Sequence, residues 1–162
     1  MNNKVLILLE KDAMRISLIL HNFLRETDAK TCLVIDKSGH PIAIEGDSAS
    51  LDTISLSALA AGAFASTKEI ARLVGETEFS VLFHQGEKGH IHVSHIDSDT
   101  LLIAIFSNNT TVGLVRHWSR EAEKKIAKVM EESRIRKEKD AIKSNEFDFD
   151  ISGELFEKRN TV

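Results

Sequence analysis

The sequence predicts an α/β (α+β) three-layer sandwich in which helices cover both faces of one five-stranded antiparallel sheet. Three observations predict it. Cys32-Leu-Val-Ile35 and Leu101-Leu-Ile-Ala-Ile-Phe106 are near-continuous apolar runs, as expected of central strands covered on both sides. The strand-like segments are joined by short turn-like links, which favour hairpins over crossovers. Segments with helical spacing precede, divide and follow the strands, giving the order α-β-β-α-β-β-β-α. A five-stranded sheet with two apolar faces needs cover on each. The middle helix is expected on one face and the terminal helices on the other.

The first helix is expected over Met14 to Glu26, where Ile16, Ile19, Leu20, Phe23 and Leu24 form one stripe. Asp12 is placed to cap or favour its start. A strand over Lys30 to Asp36 leads through the turn Lys37-Ser-Gly39 into a partner strand, His40 to Glu45. The only proline, Pro41, has no N–H to donate, so this second strand lies at an edge or Pro41 lies at its start. After a loop at Gly46 to Ser50, the longest helical stretch runs from Leu51 to Gly75, with Gly75 as its stop. Strands over Phe79 to His84, His90 to Ile96 and Leu101 to Phe106 form a meander. The last helix is expected from about Thr111 to about Lys143. Val112, Val115, Ala122, Ile126, Val129 and Met130 supply its buried side. Beyond Glu131 it turns almost wholly charged, supported by pairs such as Glu121 with Lys125 and Glu132 with Arg136. Residues 1–143 thus read as one domain with an extended helix, and residues 144–162 as an acidic, flexible tail.

Composition narrows the function. With 162 residues, 42% hydrophobic and 28% charged, the chain can build a core without disulfide or metal staples. A net charge of −4 argues against a broad nucleic-acid surface. The single cysteine, Cys32, sits in an apolar strand and reads as a small buried hydrophobe. The apolar run Val5 to Leu9 meets Glu10-Lys-Asp12 at once, too soon for a secretory core segment of about 7–15 residues. No run approaches the ~18 apolar residues of a membrane span. A cytoplasmic protein without membrane insertion is expected.

No catalytic centre is legible. Gly86-Glu-Lys-Gly89 has the wrong spacing for a phosphate-binding loop and leads into a strand. G-x-G-x-x-G, G-x-S-x-G and H-E-x-x-H are missing, so no nucleotide, metal or other cofactor is expected. His90 and His92 share a strand face and His95 points the other way. His84 on the neighbouring strand is the one candidate for a third metal ligand, and zinc wants three or four. A polar strand face accounts for the same histidines.

The middle helix is more informative. Leu56, Leu59, Ala63, Ile70 and Val74 form a stripe of large and medium residues, expected to face the sheet. Ala58, Ala61, Gly62, Ala65 and Ser66 leave a second side nearly bare. A glycine inside a helix costs about 1 kcal/mol against alanine, so Gly62 implies close approach of another backbone. Packing within the chain and docking of a second chain both meet that need.

The hairpin Leu33-Val-Ile-Asp-Lys-Ser-Gly-His-Pro-Ile-Ala43, the helix Ala58-Leu-Ala-Ala-Gly-Ala-Phe-Ala65 and the stretch Gly75-Glu-Thr-Glu-Phe-Ser-Val-Leu-Phe-His-Gln-Gly-Glu87 resemble a roadblock/LC7 domain, and within that family its bacterial gliding-motility branch. The resemblance covers roughly Lys4 to Met130. It implies a profilin-like fold and a homodimer whose sheets join through the third strand while the middle helices lie side by side. Such a dimer would protect an exposed sheet edge. It also implies a Ras-like small GTPase of the mutual gliding protein A type as partner in its GTP-bound state. The dimer would be a GTPase-activating regulator, not an enzyme, with a role in bacterial cell polarity and gliding motility. Hydrolysis would be stimulated by repositioning the GTPase's own catalytic groups, without an inserted arginine. The platform residues so implied are Ala58, Ala61, Gly62, Ala65, Lys68, Glu69 and Arg72, with a further contact from Phe147, Phe149, Ile151, Leu155 and Phe156 in the tail. The alternative is an adaptor or scaffold that binds a GTPase or motor component without changing turnover. A metal- or ligand-binding regulator built on the histidines is a third reading.

Overall fold

The computed structural model describes residues 8–157, with side chains as far as residue 143. Its elements are α1 (Glu10–Thr27), β1 (Thr31–Asp36), β2 (Pro41–Gly46), α2 (Thr53–Leu73), β3 (Val81–Gln85), β4 (Gly89–Asp97), β5 (Thr100–Ser107) and α3 (Val112–Glu157). The strands form one sheet in the order β2-β1-β5-β4-β3, and every neighbouring pair is antiparallel. The three-layer class and the element order are as the sequence implies. Pro41 is the first residue of an edge strand, where its missing N–H leaves no gap in the ladder.

Local chemistry sets the element ends. α1 begins earlier than expected, with Leu9 at its N-cap and no side-chain cap bond. Asp12 is therefore not the cap. It lies buried in the first turn, 3.5 Å from Arg15, where its charge favours the helix N-terminus. The β1–β2 turn is built on Asp36, whose Oδ1 accepts from the N–H groups of Ser38 and His40 at 2.8 and 2.9 Å. α2 starts at an N-cap, Asp52, whose side chain accepts from the Ser55 N–H at 3.0 Å. Hydrogen bonding from the Ser55 side chain, and next from its N–H, holds the Asp52 carboxyl below its ordinary range. At the far end, Gly75 takes φ +82°, its N–H reaches the Arg72 carbonyl, and the Glu76 N–H reaches that of Ala71. This left-handed glycine stop closes the helix as the sequence indicates.

Strand parity divides the core. Leu33, Ile35, Val93, Leu101 and Ile103 point to one face and pack with Ala60, Ala61 and Phe64 of α2. Cys32, His92, Ser94 and Phe106 point to the other, where Cys32 Sγ lies 3.7 Å from the Leu20 carbonyl of α1 and Ser94 donates to Glu123 of α3. Burial, with the Glu45 charge as a lesser cause, pushes the Cys32 thiol far up, so it is a packed, unreactive group.

The chain divides into two compact units at Val129 and Met130, inside α3. The first holds the sheet, α1, α2 and the start of α3; the second continues the helix. The α3 helix spans Val112–Glu157, past the end expected near Lys143. The side chains of Phe147, Phe149, Ile151, Leu155 and Phe156, expected to make a tail contact, lie outside the described residues.

Candidate protein-docking site

α2 carries two apolar surfaces, and the structure turns most of the large-residue stripe away from the sheet while leaving Ala58, Gly62, Ala65 and Ser66 exposed as the sequence implies. The side against the sheet is Ser57, Ala60, Ala61, Phe64, Thr67 and Ala71, all buried. Leu59, Ile70 and Val74, expected there, are exposed, as are Ile54 and Leu73. Leu59 is 73% exposed and Ile70 52%. The reason lies in two hydroxyls. Ser57 Oγ donates to the Thr53 carbonyl and Thr67 Oγ1 to the Phe64 carbonyl, each at 2.6 Å. Satisfied within their own helix, they enter the core without an unpaired polar group. The small residues between them let α2 lie close to the sheet, with Phe64 buried in the layer and Leu56 packed against it.

Six of the seven platform residues are exposed: Ala58, Gly62, Ala65, Lys68, Glu69 and Arg72. Ala61 is the correction. At 5% exposure it belongs to the sheet-facing core and has no surface to offer a partner. Gly62 faces outward, and a Cβ built there would meet nothing within 4 Å. Packing inside the chain therefore does not explain the glycine. Arg72 Nε lies 3.0 Å from Glu69 Oε2, so the two platform charges form an exposed pair one helical turn apart. Ala58 is also approached from below by the β1–β2 turn, whose Gly39 sits against its Cα.

Between this flank of α2 and the turns at the ends of β1 and β4 lies a pocket of ≈ 340 Å³, with Phe64, Ala65, Lys68, Phe79, His95 and Leu101 in its lining. His95 stacks at a tilt on Phe64, with ring centroids 4.7 Å apart. Lys37, also on the rim, is ion-paired with Asp99 and its ammonium is raised above its ordinary range by that hydrogen bond. An apolar floor with mixed charges at the rim suits a protein side chain better than a phosphate or a metal.

The histidines are not brought together. His90 and His92 share the α1–α3 face of the sheet, as their spacing implies. His84 pairs with Ile91 across β3 and β4, so it points to the α2 face, away from them. His90 Nε2 lies 2.7 Å from Asn108 Oδ1 and its ring packs on Phe106. His92 is buried, and desolvation, with Arg116 as a lesser cause, pushes its pKa down to about 4. Among the described residues there is no group of three or more His, Cys, Asp or Glu side chains able to hold a metal ion. β3, which carries His84, is an edge strand, and Phe83 at its centre is 37% exposed.

Comparison with known proteins fits this geometry to a family. The roadblock/LC7 domain profile matches residues 15–106, from α1 through β5. The chain belongs to the roadblock/LC7 domain family. Among solved structures it is similar to Myxococcus xanthus MglB, at 32% identity and a TM-score of 0.73 over 78% of this chain and 96% of that one. It is similar also to the gliding protein MglB of Thermus thermophilus, at 30% identity and a TM-score of 0.74 over 79% of this chain and 97% of that one. Acanthamoeba castellanii profilin IA shares the fold alone, with 9% identity and a TM-score of 0.51 over 71% of this chain and 95% of that one. No curated protein sequence gives a match. Among the described residues, no helix of this roadblock domain is long and apolar enough to cross a membrane.

Proposed function

We propose that this roadblock domain acts as a cytoplasmic homodimer that binds a Ras-like small GTPase of the mutual gliding protein A type and stimulates its GTP hydrolysis, serving cell polarity or gliding motility. The observation that carries the reading is the outward face of α2. It presents Ala58, Gly62 and Ala65 to solvent, with open space where a Cβ at Gly62 would point, in a chain 32% identical to Myxococcus xanthus MglB. Small residues at the centre of a helix face let a second backbone approach closely. Apolar residues beside them supply the area that association needs. The exposed edge of β3 offers unpaired backbone groups for a second copy.

The chemistry would belong to the GTPase. The one arginine on α2, Arg72, is tied to Glu69 near the helix end, a poor starting point for an inserted finger. Stimulation by repositioning the GTPase's own water-orienting groups fits a face made of small side chains. Lys68, Glu69 and Arg72 then form a charged rim that selects the partner, and the end of α3 adds a second contact through the aromatic residues near Phe147.

The test is GTP turnover by the cognate GTPase with and without this protein. Stimulation is expected, with Ala65→Arg abolishing both binding and stimulation and Arg72→Ala leaving stimulation in place. Binding without stimulation would establish the adaptor reading instead. Stimulation lost in Arg72→Ala with binding retained would restore the arginine finger.

A further inference from the structure

The first half of α3 carries a row of like charge that its own helix does not balance. Arg116, Arg120, Lys124 and Lys128 follow one another at four-residue intervals, and Lys125 lies beside them. All five are exposed. Like charges at that spacing repel along a helix, so the row costs the fold stability. Two acidic residues share this stretch. Glu121 is ion-paired with Lys124 at 3.0 Å, and Glu123 turns inward, half-buried, to accept from Ser94 on β4. The outward surface therefore keeps a positive excess, in a chain whose net charge is −4.

α1 covers the same face of the sheet and continues this surface. Lys11, Met14, Leu18, His21 and Arg25 are alternately three and four residues apart, which sets them within about 80° of one another around the helix. All are exposed, Met14 at 67% and Leu18 at 62%. On α3, Leu114 is 41% exposed and Trp118 half-buried where the basic row begins. These apolar side chains stand among cations, away from the core that α1 builds with Ile16, Leu20 and Phe23. α2, the helix proposed to carry the GTPase, packs on the opposite face of the sheet.

Cations alone would suit any polyanion. Exposed Met14 and Leu18 gain nothing from a nucleic-acid backbone or a polyacidic peptide. A bilayer of anionic phospholipids meets both needs, since its phosphates pair with Lys and Arg while the boundary below them takes apolar side chains. Long Lys and Arg stems keep their charges at headgroup level as shorter apolar groups reach deeper. Lipid charges also move laterally, so they can follow a row spread over two helices. We propose that the outer surface of α1 and α3 docks peripherally on an anionic phospholipid bilayer. Arg116, Arg120, Lys124 and Lys128 meet the phosphates, and Met14 and Leu18 enter between the headgroups. α2 then faces away from the bilayer, and a protein held there is not obstructed. The docking does not depend on which partner α2 takes.

Vesicle co-sedimentation of the full chain tests the docking. Vesicles of phosphatidylglycerol with phosphatidylcholine should bind the protein, and vesicles of phosphatidylcholine alone should not. Raising the salt from about 0.1 M to about 1 M should release most of it, as the Debye length falls from about 10 Å to about 3 Å. Arg120→Glu should lower the partition coefficient about tenfold or more. Its new carboxylate lies four residues from both Arg116 and Lys124, so thermal unfolding should show a variant at least as stable as the parent. Met14→Gln with Leu18→Gln should weaken binding severalfold while leaving its salt dependence unchanged. Binding that survives both variants, or equal binding to neutral vesicles, overturns the docking surface. Capture of duplex DNA or polyglutamate by the same cations without vesicle binding overturns it too, and gives the face to another polyanion.

Discussion

Gly39, at the tip of the β1–β2 turn, sits directly on the backbone of Ala58 in α2. A Cβ at residue 39 would lie 2.6 Å from the Ala58 Cα and 3.2 Å from the Ser57 carbonyl oxygen. Gly39 also holds φ +90°, a region that side chains disfavour. The turn thereby fixes where α2 begins its run across the sheet, and with it the pitch of the whole exposed face. Gly39→Ala meets both penalties, backbone strain and overpacking against main-chain atoms that have no rotamer to yield. A loss of about 3 kcal/mol of unfolding free energy is expected. Urea unfolding of the purified variant checks it, and a loss below about 0.5 kcal/mol would mean that the turn lifts away from the helix at no cost.

Gly62 behaves in the opposite way. With nothing within 4 Å of its missing Cβ, Gly62→Ala brings only the better helix propensity of alanine. The variant is expected to gain up to about 1 kcal/mol in the stability of the isolated domain, yet to lose affinity for whatever approaches that face. Thermal unfolding at low protein concentration, set beside GTPase binding at high concentration, separates the two effects. A variant that is more stable and binds equally well would remove the close-approach explanation for the glycine.

The contrast between these glycines shows what is legible in the sequence. Turn chemistry is local, so Lys37-Ser-Gly39 and the Gly75 stop can be read from residue types alone, as can the parity of His90, His92 and His95. The facing of α2 cannot. Its two apolar sides share the same helical period, and the choice between them depends on Ser57 and Thr67 returning their hydroxyls to their own backbone. That option removes the usual penalty for a polar residue in a core, and no periodicity reports it. Ala61 reads as a surface residue for the same reason, and Asp12 reads as a cap because helix α1 starts a turn earlier than its apolar stripe. The pocket beside Phe64 joins residues from three separate turns and has no signal in any one of them.

Ser94 and Glu123 join β4 to α3 across the other face of the sheet. Ser94 Oγ donates to Glu123 Oε1. Burial raises the Glu123 carboxyl, and the Ser94 bond, with Arg120 as a lesser influence, partly offsets that rise. Ser94→Ala removes the offset and leaves a half-buried carboxylate with one fewer donor. Its pKa should move further up, and stability at neutral pH should fall by about 1 kcal/mol. A carbon-detected NMR titration of the Glu123 carboxyl reads the first effect directly. An unchanged midpoint in the variant would show that the bond carries no weight in solution.

His92 gives the fold a defined acid sensitivity. Its side chain is 1% exposed, and desolvation, aided by the nearby Arg116, depresses its pKa from 6.5 to about 4. The folded state therefore holds this imidazole neutral where the unfolded chain would protonate it. Between about pH 6.5 and pH 4 the unfolded state binds more protons at this site, so stability falls as pH falls through that window and is level above it. The full loss at this site amounts to about 3 kcal/mol at most. His92→Leu keeps the volume close to that of the imidazole while removing the titration, and it also removes a buried ring nitrogen without a hydrogen-bond partner. The variant should match or exceed the wild type at pH 5 while differing little at pH 7.5. Urea midpoints at pH 7.5, 6.0 and 5.0 for both proteins decide the matter. Parallel slopes would assign the acid sensitivity to groups other than His92.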